Sequence, residues 1–266
     1  SAAERCDPRY PWTFVYRAAL RFSAGDLPAA EKELGRFTDL SPGSAVGPAL
    51  LGAVAAARGD AEEAERRFGG AIERDASSWV LALRGRLRSA RGQLDLARAD
   101  LDLAAKGERA PWLRLERADV LNRRGFFSRA LALLKRLAVE FPRNPEPRLR
   151  AAAIHLEQAQ YARAAERMTQ ALRSNPREPA YYFRRAEIRF VEGRPAAAAD
   201  DMERACRLAP ENGQYRQELI RLRLLAGEYR AAERMTASLA PGPREFWRAY
   251  ALCRRGRFAR SARLFR

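Results

Sequence analysis

The residue types that most often carry catalysis are scarce in this chain. His155 is the only histidine, and the three cysteines, Cys6, Cys206 and Cys253, lie far apart. One histidine without a second histidine or a nearby cysteine does not predict a zinc site. The cysteines form no CxxC pair and are odd in number, so they indicate no disulfide framework and leave the compartment open. We expect a packed or half-buried His155, and no metal or other cofactor.

Two closely spaced acid pairs are the remaining candidates for acid–base chemistry. Asp100 and Asp102, and the adjacent Asp200 and Asp201, fall in segments with helical periodicity. We therefore expect them to be solvated charges on helix surfaces. The chain has no glycine-rich phosphate-binding motif, no HExxH and no GxSxG. These residues predict no enzymatic activity.

A repeat of 33 or 34 residues organises most of the chain. A glycine recurs at this interval, with Ala159 in one glycine slot and a shorter last interval: Gly25, Gly59, Gly92, Gly125, Gly193, Gly227 and Gly256. A small residue follows each slot five positions later, and in the six clearest units a bulky apolar residue comes four positions after that. Because glycine can adopt the left-handed conformation that ends a helix, each interval predicts two helices joined by a tight turn. Prolines close four of the intervals, at Pro42, Pro142, Pro176 and Pro210.

This constellation resembles the tetratricopeptide repeat, a helix–turn–helix unit of 34 residues, from Pro11 to Arg266. The resemblance implies an all-α fold: a right-handed α-solenoid superhelix of tandem helix–turn–helix repeats. The Ala- and Arg-rich composition of this chain is typical of bacterial arrays of such repeats. After a lead-in at 1–10, we divide the array at 11–266 into units 11–44, 45–77, 78–110, 111–144, 145–178, 179–212, 213–241 and 242–266, the last one incomplete. Since arrays usually end in a polar cap, we expect the natural chain to continue past Arg266, or another chain to cover that end.

In the family that this chain resembles, partners lie on a concave face that the first helices line at positions 2, 5, 9, 12 and 13. Transferring those positions to this chain gives a mainly apolar lining with aromatic anchors. The predicted partner-binding residues are Trp12, Val15, Phe22, Trp79, Arg86, Trp112, Leu115, Asp119, Asn122, Arg123, Leu149, Phe183, Glu187 and Phe190. The alternative for the aromatic members is packing between adjacent first helices.

The chain is strongly basic, with 50 Lys and Arg against 33 Asp and Glu and a formal net charge of +17. Cations and anions balance on the full set of predicted concave positions, so we expect the excess on second helices and turns. A groove that tracks a phosphate backbone needs its cations along the groove. We therefore interpret Arg184, Arg185, Arg189 and Arg194 as residues that serve solubility and contacts on the sides of the array.

These observations predict a non-enzymatic scaffold that binds a protein or peptide segment on the concave face, within a multiprotein assembly. One alternative is an electrostatic adaptor whose Arg-rich surface binds an anionic polysaccharide, a nucleic acid or a membrane surface. Another is the targeting arm of a larger enzyme. No small-molecule substrate is predicted, and the sequence does not indicate the oligomeric state. No stretch of about 18 uncharged apolar residues exists, so no transmembrane helix is expected.

Overall fold

The computed structural model describes residues 10–107 and 110–265, and in them short turns connect a succession of helices without any strand. The helices are α1 (Trp12–Ser23), α2 (Leu27–Leu40), α3 (Val46–Arg58), α4 (Ala61–Arg74), α5 (Ser78–Ala90), α6 (Leu94–Gly107), α7 (Pro111–Arg123), α8 (Phe127–Glu140), α9 (Glu146–Glu157), α10 (Tyr161–Ser174), α11 (Pro179–Val191), α12 (Pro195–Leu208), α13 (Gly213–Leu225), α14 (Tyr229–Met235), α15 (Pro243–Arg254) and α16 (Phe258–Ala262). Short 3₁₀ turns follow α14 and α16. The predicted all-α fold of tandem helix pairs is confirmed. Odd-numbered helices are called first helices below, and even-numbered ones second helices.

The chain forms two compact units, Ser1–Ala130 and Leu131–Arg266. In each of them a first helix contacts the second helix that follows it, as α5 does with α6 and α11 with α12. A second helix then contacts the next first helix, as α12 does with α13. Of the helices in the described ranges, none has the length and apolar character that crossing a bilayer requires. Residues 1–9 of the predicted lead-in at 1–10 lie outside the described residues, and the repeat boundaries stay a prediction.

Close crossings explain why small residues recur along the repeat. The alanines five positions after the turns are fully buried where the two helices of a pair meet, for example Ala64 and Ala198. The bulky residues that follow them, such as Phe68 and Met202, fill the adjacent core. Opposite Phe68, a Cβ atom on Gly52 would lie 3.0 Å from the phenyl ring. Such a distance is tighter than most contacts of a Cβ atom, so glycine at this position lets α3 and α4 approach closely.

The turns between the helices of a pair use a left-handed residue, as the glycine period predicts. Gly59 ends α3 with φ of 88°, and Ala159 has φ of 55° in the corresponding turn after α9. Ala159 is the one non-glycine residue with positive φ in the described ranges. For a residue with a Cβ atom, this conformation costs about 1–2 kcal/mol.

Ala159→Gly is therefore expected to stabilise the protein. Relief of the left-handed strain exceeds the extra backbone entropy of glycine, and we expect a net gain of about 0.5–1 kcal/mol in the free energy of unfolding. The control is Ala162→Gly on the exposed surface of α10, which should cost about 1 kcal/mol. Urea unfolding followed by circular dichroism measures both, and a loss of stability in both variants would contradict the strain at residue 159.

Candidate partner-binding site

An apolar groove lies between two first helices of the second unit. This α9–α11 groove encloses about 520 Å³ and is lined by Leu149, Ala152, Ala153, Leu156, Met168, Ala180, Tyr181, Arg184, Glu187, Ile188 and Val191. Two of its apolar side chains remain open to solvent, with Leu156 38% and Val191 56% exposed. The helical period explains the lining, since residues three or four apart along α9 share one face. The groove is thus an uncovered apolar surface in a highly charged chain.

The polar groups of the α9–α11 groove balance one another. At its rim, Arg184 Nη1 donates a hydrogen bond to Glu187 Oε2 at 3.0 Å, and both side chains are largely exposed. The pKa of the Tyr181 phenol is raised by burial and by the carboxylates of Glu146 and Glu178. Tyr181 therefore stays a neutral hydroxyl, and the groove offers a few polar anchors without a net charge.

A smaller groove in the first unit has the same construction. It lies between α1 and α3, encloses about 240 Å³ and is lined by Val15, Ala18, Ala19, Phe22, Leu34, Leu50, Ala53 and Val54. Phe22 is largely exposed at its edge. The structure therefore places Val15 and Phe22 together in this groove, as it places Leu149 and Glu187 together in the α9–α11 groove.

The other aromatic candidates pack against neighbouring residues. The ring of Phe183 stacks on Tyr215 with centroids 5.3 Å apart, and the guanidinium of Arg221 lies 4.5 Å from the centre of the Phe190 ring. Both contacts join the first helices α11 and α13, which is the packing alternative left open by the sequence. Their rings are half-buried.

The three candidate tryptophans also differ in how much of their rings is covered by neighbouring residues. Trp12 packs against Phe37 with ring centroids 5.7 Å apart and remains largely exposed. Trp79 is partly buried against the core that contains Phe68 and Val80. Trp112 is largely exposed on α7. Trp12 and Trp112 thus still offer aromatic surface, whereas Trp79 contributes mainly to the core.

One of the predicted binding residues on α5 and α7 is buried. Leu115 is 5% exposed, and Ala49 and Ala82 at the same position of the two preceding repeats are buried as well. Little of the Leu115 side chain is therefore left for a partner to contact. Arg123 Nη1 donates to the Ser89 carbonyl oxygen at 2.7 Å and to the Ser89 hydroxyl at 2.9 Å. Arg86 forms a 3.5 Å ion pair with Glu116. The remaining two candidates on α7, Asp119 and Asn122, are partly exposed.

The expectation that all four paired aspartates are solvated is wrong for Asp100. This carboxylate is only 2% exposed. Arg84 donates to it through Nε at 3.0 Å and Nη2 at 2.8 Å, and Arg88 through Nη1 at 2.9 Å. Its neighbour Asp102 stays partly exposed. Asp100 thus lies in a buried Arg–Asp–Arg cluster in the pair α5–α6.

The same cluster recurs in the pair α11–α12, and it corrects two further interpretations. Asp201 is 3% exposed, accepts hydrogen bonds from Arg185 at 2.8 and 2.6 Å and forms an ion pair with Arg189 at 2.8 Å. Arg185 and Arg189 are therefore mostly buried and paired with Asp201, and they do not serve solubility. Burial lowers the pKa of the Arg189 guanidinium, while the Asp201 carboxylate opposes that shift. Asp200 is exposed, and Arg184 and Arg194 are exposed as expected.

Within the residues that the structure describes, His155, Cys206 and Cys253 make no catalytic or metal arrangement. His155 is buried, and its Nδ1 lies 2.9 Å from Gln160 Oε1. Burial raises the pKa of the Cys206 thiol to about 11, so the reactive thiolate is scarce at neutral pH. Across the described part of the chain, no three His, Cys, Asp or Glu side chains come together as metal ligands.

Tandem helix pairs that cross at buried alanines and turn at left-handed residues define a helical-repeat protein. Within residues 149–213 the particular repeat is the tetratricopeptide repeat, because that segment matches the family model of that description. This segment contains the α9–α11 groove and the Asp201 cluster. Proteins built from such repeats are in general non-catalytic scaffolds with extended binding surfaces.

Solved structures share the fold over most of the chain. Yeast Tom70 is similar with a TM-score of 0.66 and 18% identity, covering 95% of this chain and 54% of that one; the chain thus spans about half of that protein. A tetratricopeptide repeat protein from Parabacteroides merdae gives 0.61 and 15%, covering 91% and 98%. The C-terminal part of such a protein from Cytophaga hutchinsonii gives 0.64 and 14%, covering 95% and 99%. No curated protein matches this chain.

Proposed function

We propose that this chain is a non-enzymatic scaffold that holds a segment of a partner protein against its first helices, within a multiprotein assembly. The α9–α11 groove is the observation that carries the proposal. It combines an open apolar wall, formed by Leu149, Leu156 and Val191, with an ion pair at its rim. An amphipathic helix or an extended peptide with apolar anchors fits such a surface.

The size of the groove agrees with a peptide segment. Its volume of about 520 Å³ accommodates a few side chains at a time. Covering the exposed parts of Leu156 and Val191 would contribute roughly 1 kcal/mol for each side chain at the usual value per apolar area. The Arg184 and Glu187 side chains would orient the segment, since they offer one donor and one acceptor beside the apolar wall.

Internal pairing of the arginines favours this scaffold over an electrostatic adaptor. Arg84 and Arg88 are held by Asp100, and Arg185 and Arg189 by Asp201. The groove itself carries one cation and one anion. An adaptor for a phosphate polymer that makes 6–10 phosphate contacts would lose about 10³–10⁵ in affinity between 50 and 200 mM salt. We expect the affinity of the groove partner to change much less over that range.

A double variant tests the groove. The partner is first identified by a photo-crosslinking amino acid at position 156 in cells that make the protein, with the same label at Leu208 as the reference. Leu156→Asp with Val191→Asp is then expected to weaken binding of that partner at least tenfold, because two charges enter an apolar contact. Calorimetric titration measures the affinity.

The matched control is Leu208→Asp. Leu208 has a similar exposure, 40%, but lies at the end of the second helix α12. We expect it to leave the affinity unchanged. Both variants should stay folded, with a loss of about 0.3–1 kcal/mol in the free energy of unfolding for each new carboxylate in the last turn of a helix. Unchanged binding by the folded double variant would disprove the groove proposal. A steep salt dependence would instead support the adaptor.

A further inference from the structure

A second cavity lies on the other side of α9 from the groove. It is bounded by α8, α9 and α10, encloses about 600 Å³, and is called the α8–α10 cavity. Ala151 and His155 of α9 line it, whereas Leu149 and Leu156 of the same helix line the α9–α11 groove. The two sites therefore use different faces of one helix and can be tested separately.

Comparison of the repeats shows why this cavity exists. Asp100, Arg167 and Asp201 are each the seventh residue of their second helices, α6, α10 and α12. The residue 16 positions earlier is an arginine before each aspartate, Arg84 and Arg185, but Ala151 before Arg167.

The second arginine of each cluster is also replaced in the pair α9–α10. The residue 12 positions earlier is Arg88 before Asp100 and Arg189 before Asp201, but His155 before Arg167. Two arginine side chains are thus replaced by smaller ones, which leaves the space open. The buried carboxylate is replaced by a cation, so this pair lacks the anion that the other two clusters contain.

The charges around the α8–α10 cavity are correspondingly unbalanced. Lys135, Arg148, Arg163 and Arg167 line it together with one acidic residue, Glu166. Arg148 donates to three main-chain carbonyl oxygens. Arg163 and Arg167 each donate to a glutamine side chain at 3.1 and 3.0 Å, and Arg167 makes no ion pair within residues 10–107 and 110–265. The cavity therefore presents four cations against one carboxylate.

We propose that the α8–α10 cavity binds an Asp or Glu side chain of a partner protein, with its carboxylate on the guanidinium of Arg167. The carboxylate takes the place that Asp100 and Asp201 have in their own clusters. Charge-assisted bonds of this kind are shorter and stronger than neutral ones. Leu131, Val139 and Pro147 also line the cavity, so apolar residues beside the acidic one have surface to contact. The ligand is an acidic peptide segment with apolar neighbours.

A peptide selection on the full chain tests this site. Capped 12-residue peptides are selected from a random library, with counter-selection on the Arg167→Asp variant. We expect the selected peptides to share an Asp or Glu, and its replacement by Asn or Gln to weaken binding at least tenfold. Arg167→Gln should weaken binding of the unmodified acidic peptide by the same factor. Combining Arg167→Gln with the Asn or Gln peptide should add little further loss of affinity. Leu156→Asp with Val191→Asp should leave this binding unchanged.

A triple variant that introduces the Arg–Asp–Arg cluster into α9–α10 controls for loss of binding by unfolding. Ala151→Arg with His155→Arg and Arg167→Asp restores the three residue types of the α5–α6 and α11–α12 clusters, so it should stay folded and abolish peptide binding. The proposal is overturned if no selected peptide depends on Arg167, or if amide and acid peptides bind equally. It is also overturned if phosphate or citrate ions bind at Arg167 as tightly as the peptides, which would make this a small-anion site.

Discussion

Asp201→Ala is expected to lower the free energy of unfolding by about 3–5 kcal/mol. The carboxylate is almost fully buried and bonded to Arg185 and Arg189. Its removal leaves two guanidinium groups in the core without an anion, and burial already disfavours the charged form of Arg189. The loss therefore comes mainly from the unpaired cations, and only in part from the missing hydrogen bonds.

The neighbouring Asp200→Ala is the matched control. Asp200 is exposed on the same helix, so we expect a change within about 0.5 kcal/mol. Urea unfolding gives the overall stability, and hydrogen exchange of α11 and α12 locates the loss, since repeat arrays can open locally. Equal losses in the two variants would show that the missing negative charge near the N-terminus of α12, and not the buried cluster, is responsible.

A third variant distinguishes the cost of the unpaired buried charges from the cost of the cavity that Asp201→Ala leaves. Replacing Asp201, Arg185 and Arg189 together by Leu, Met and Met removes all three charges and keeps the site filled. Apolar replacement of a buried ion cluster is often neutral or stabilising. We therefore expect the triple variant to recover most of the stability that Asp201→Ala loses. A triple variant as unstable as the single one would contradict this account.

The helix pairs were predictable because local spacing determines them. A left-handed turn residue, a small residue five positions later and a bulky residue after that fix where two helices end, cross and pack. The buried aspartates were missed because a single helix does not show which of its faces meets the neighbouring helix. The signal was present in the arginines 16 and 12 positions before Asp100 and Asp201.

The candidate site was predictable in part for the same reason. Val15, Ala19 and Phe22 are positions 5, 9 and 12 of the first repeat. Because Val15 lies four residues before Ala19 and Phe22 three residues after it, the three side chains had to share one face of α1. The sequence could not decide whether an aromatic side chain there is covered by the next first helix, as Phe183 is by Tyr215. The α8–α10 cavity was not predicted, because it arises from side chains that the pair α9–α10 lacks and the pairs α5–α6 and α11–α12 have.

Phe68→Ala is expected to cost about 3–5 kcal/mol in the first unit. Phe68 is 1% exposed and packs with Ala49, Ala71 and Val80 in one buried cluster. Alanine would leave a cavity that its neighbours, mostly alanines, are too small to fill. The control is Phe126→Ala at a partly exposed phenylalanine, for which we expect a smaller loss in the same urea titration.

The close approach of Gly52 to the Phe68 ring makes this prediction sharper. In the unmodified protein Gly52→Ala should cost about 1–3 kcal/mol, because its Cβ atom would meet the ring at 3.0 Å and overpack the crossing. In the Phe68→Ala background the ring is gone and the 3.2 Å approach to the Cβ atom of Arg67 remains. The remaining overpacking and the helix propensity of alanine then oppose each other, so the same change should stay within about 1 kcal/mol. The two substitutions are in contact, and their effects should therefore be strongly non-additive. Additive effects in the double-mutant cycle would mean that the ring does not set the spacing of α3 and α4.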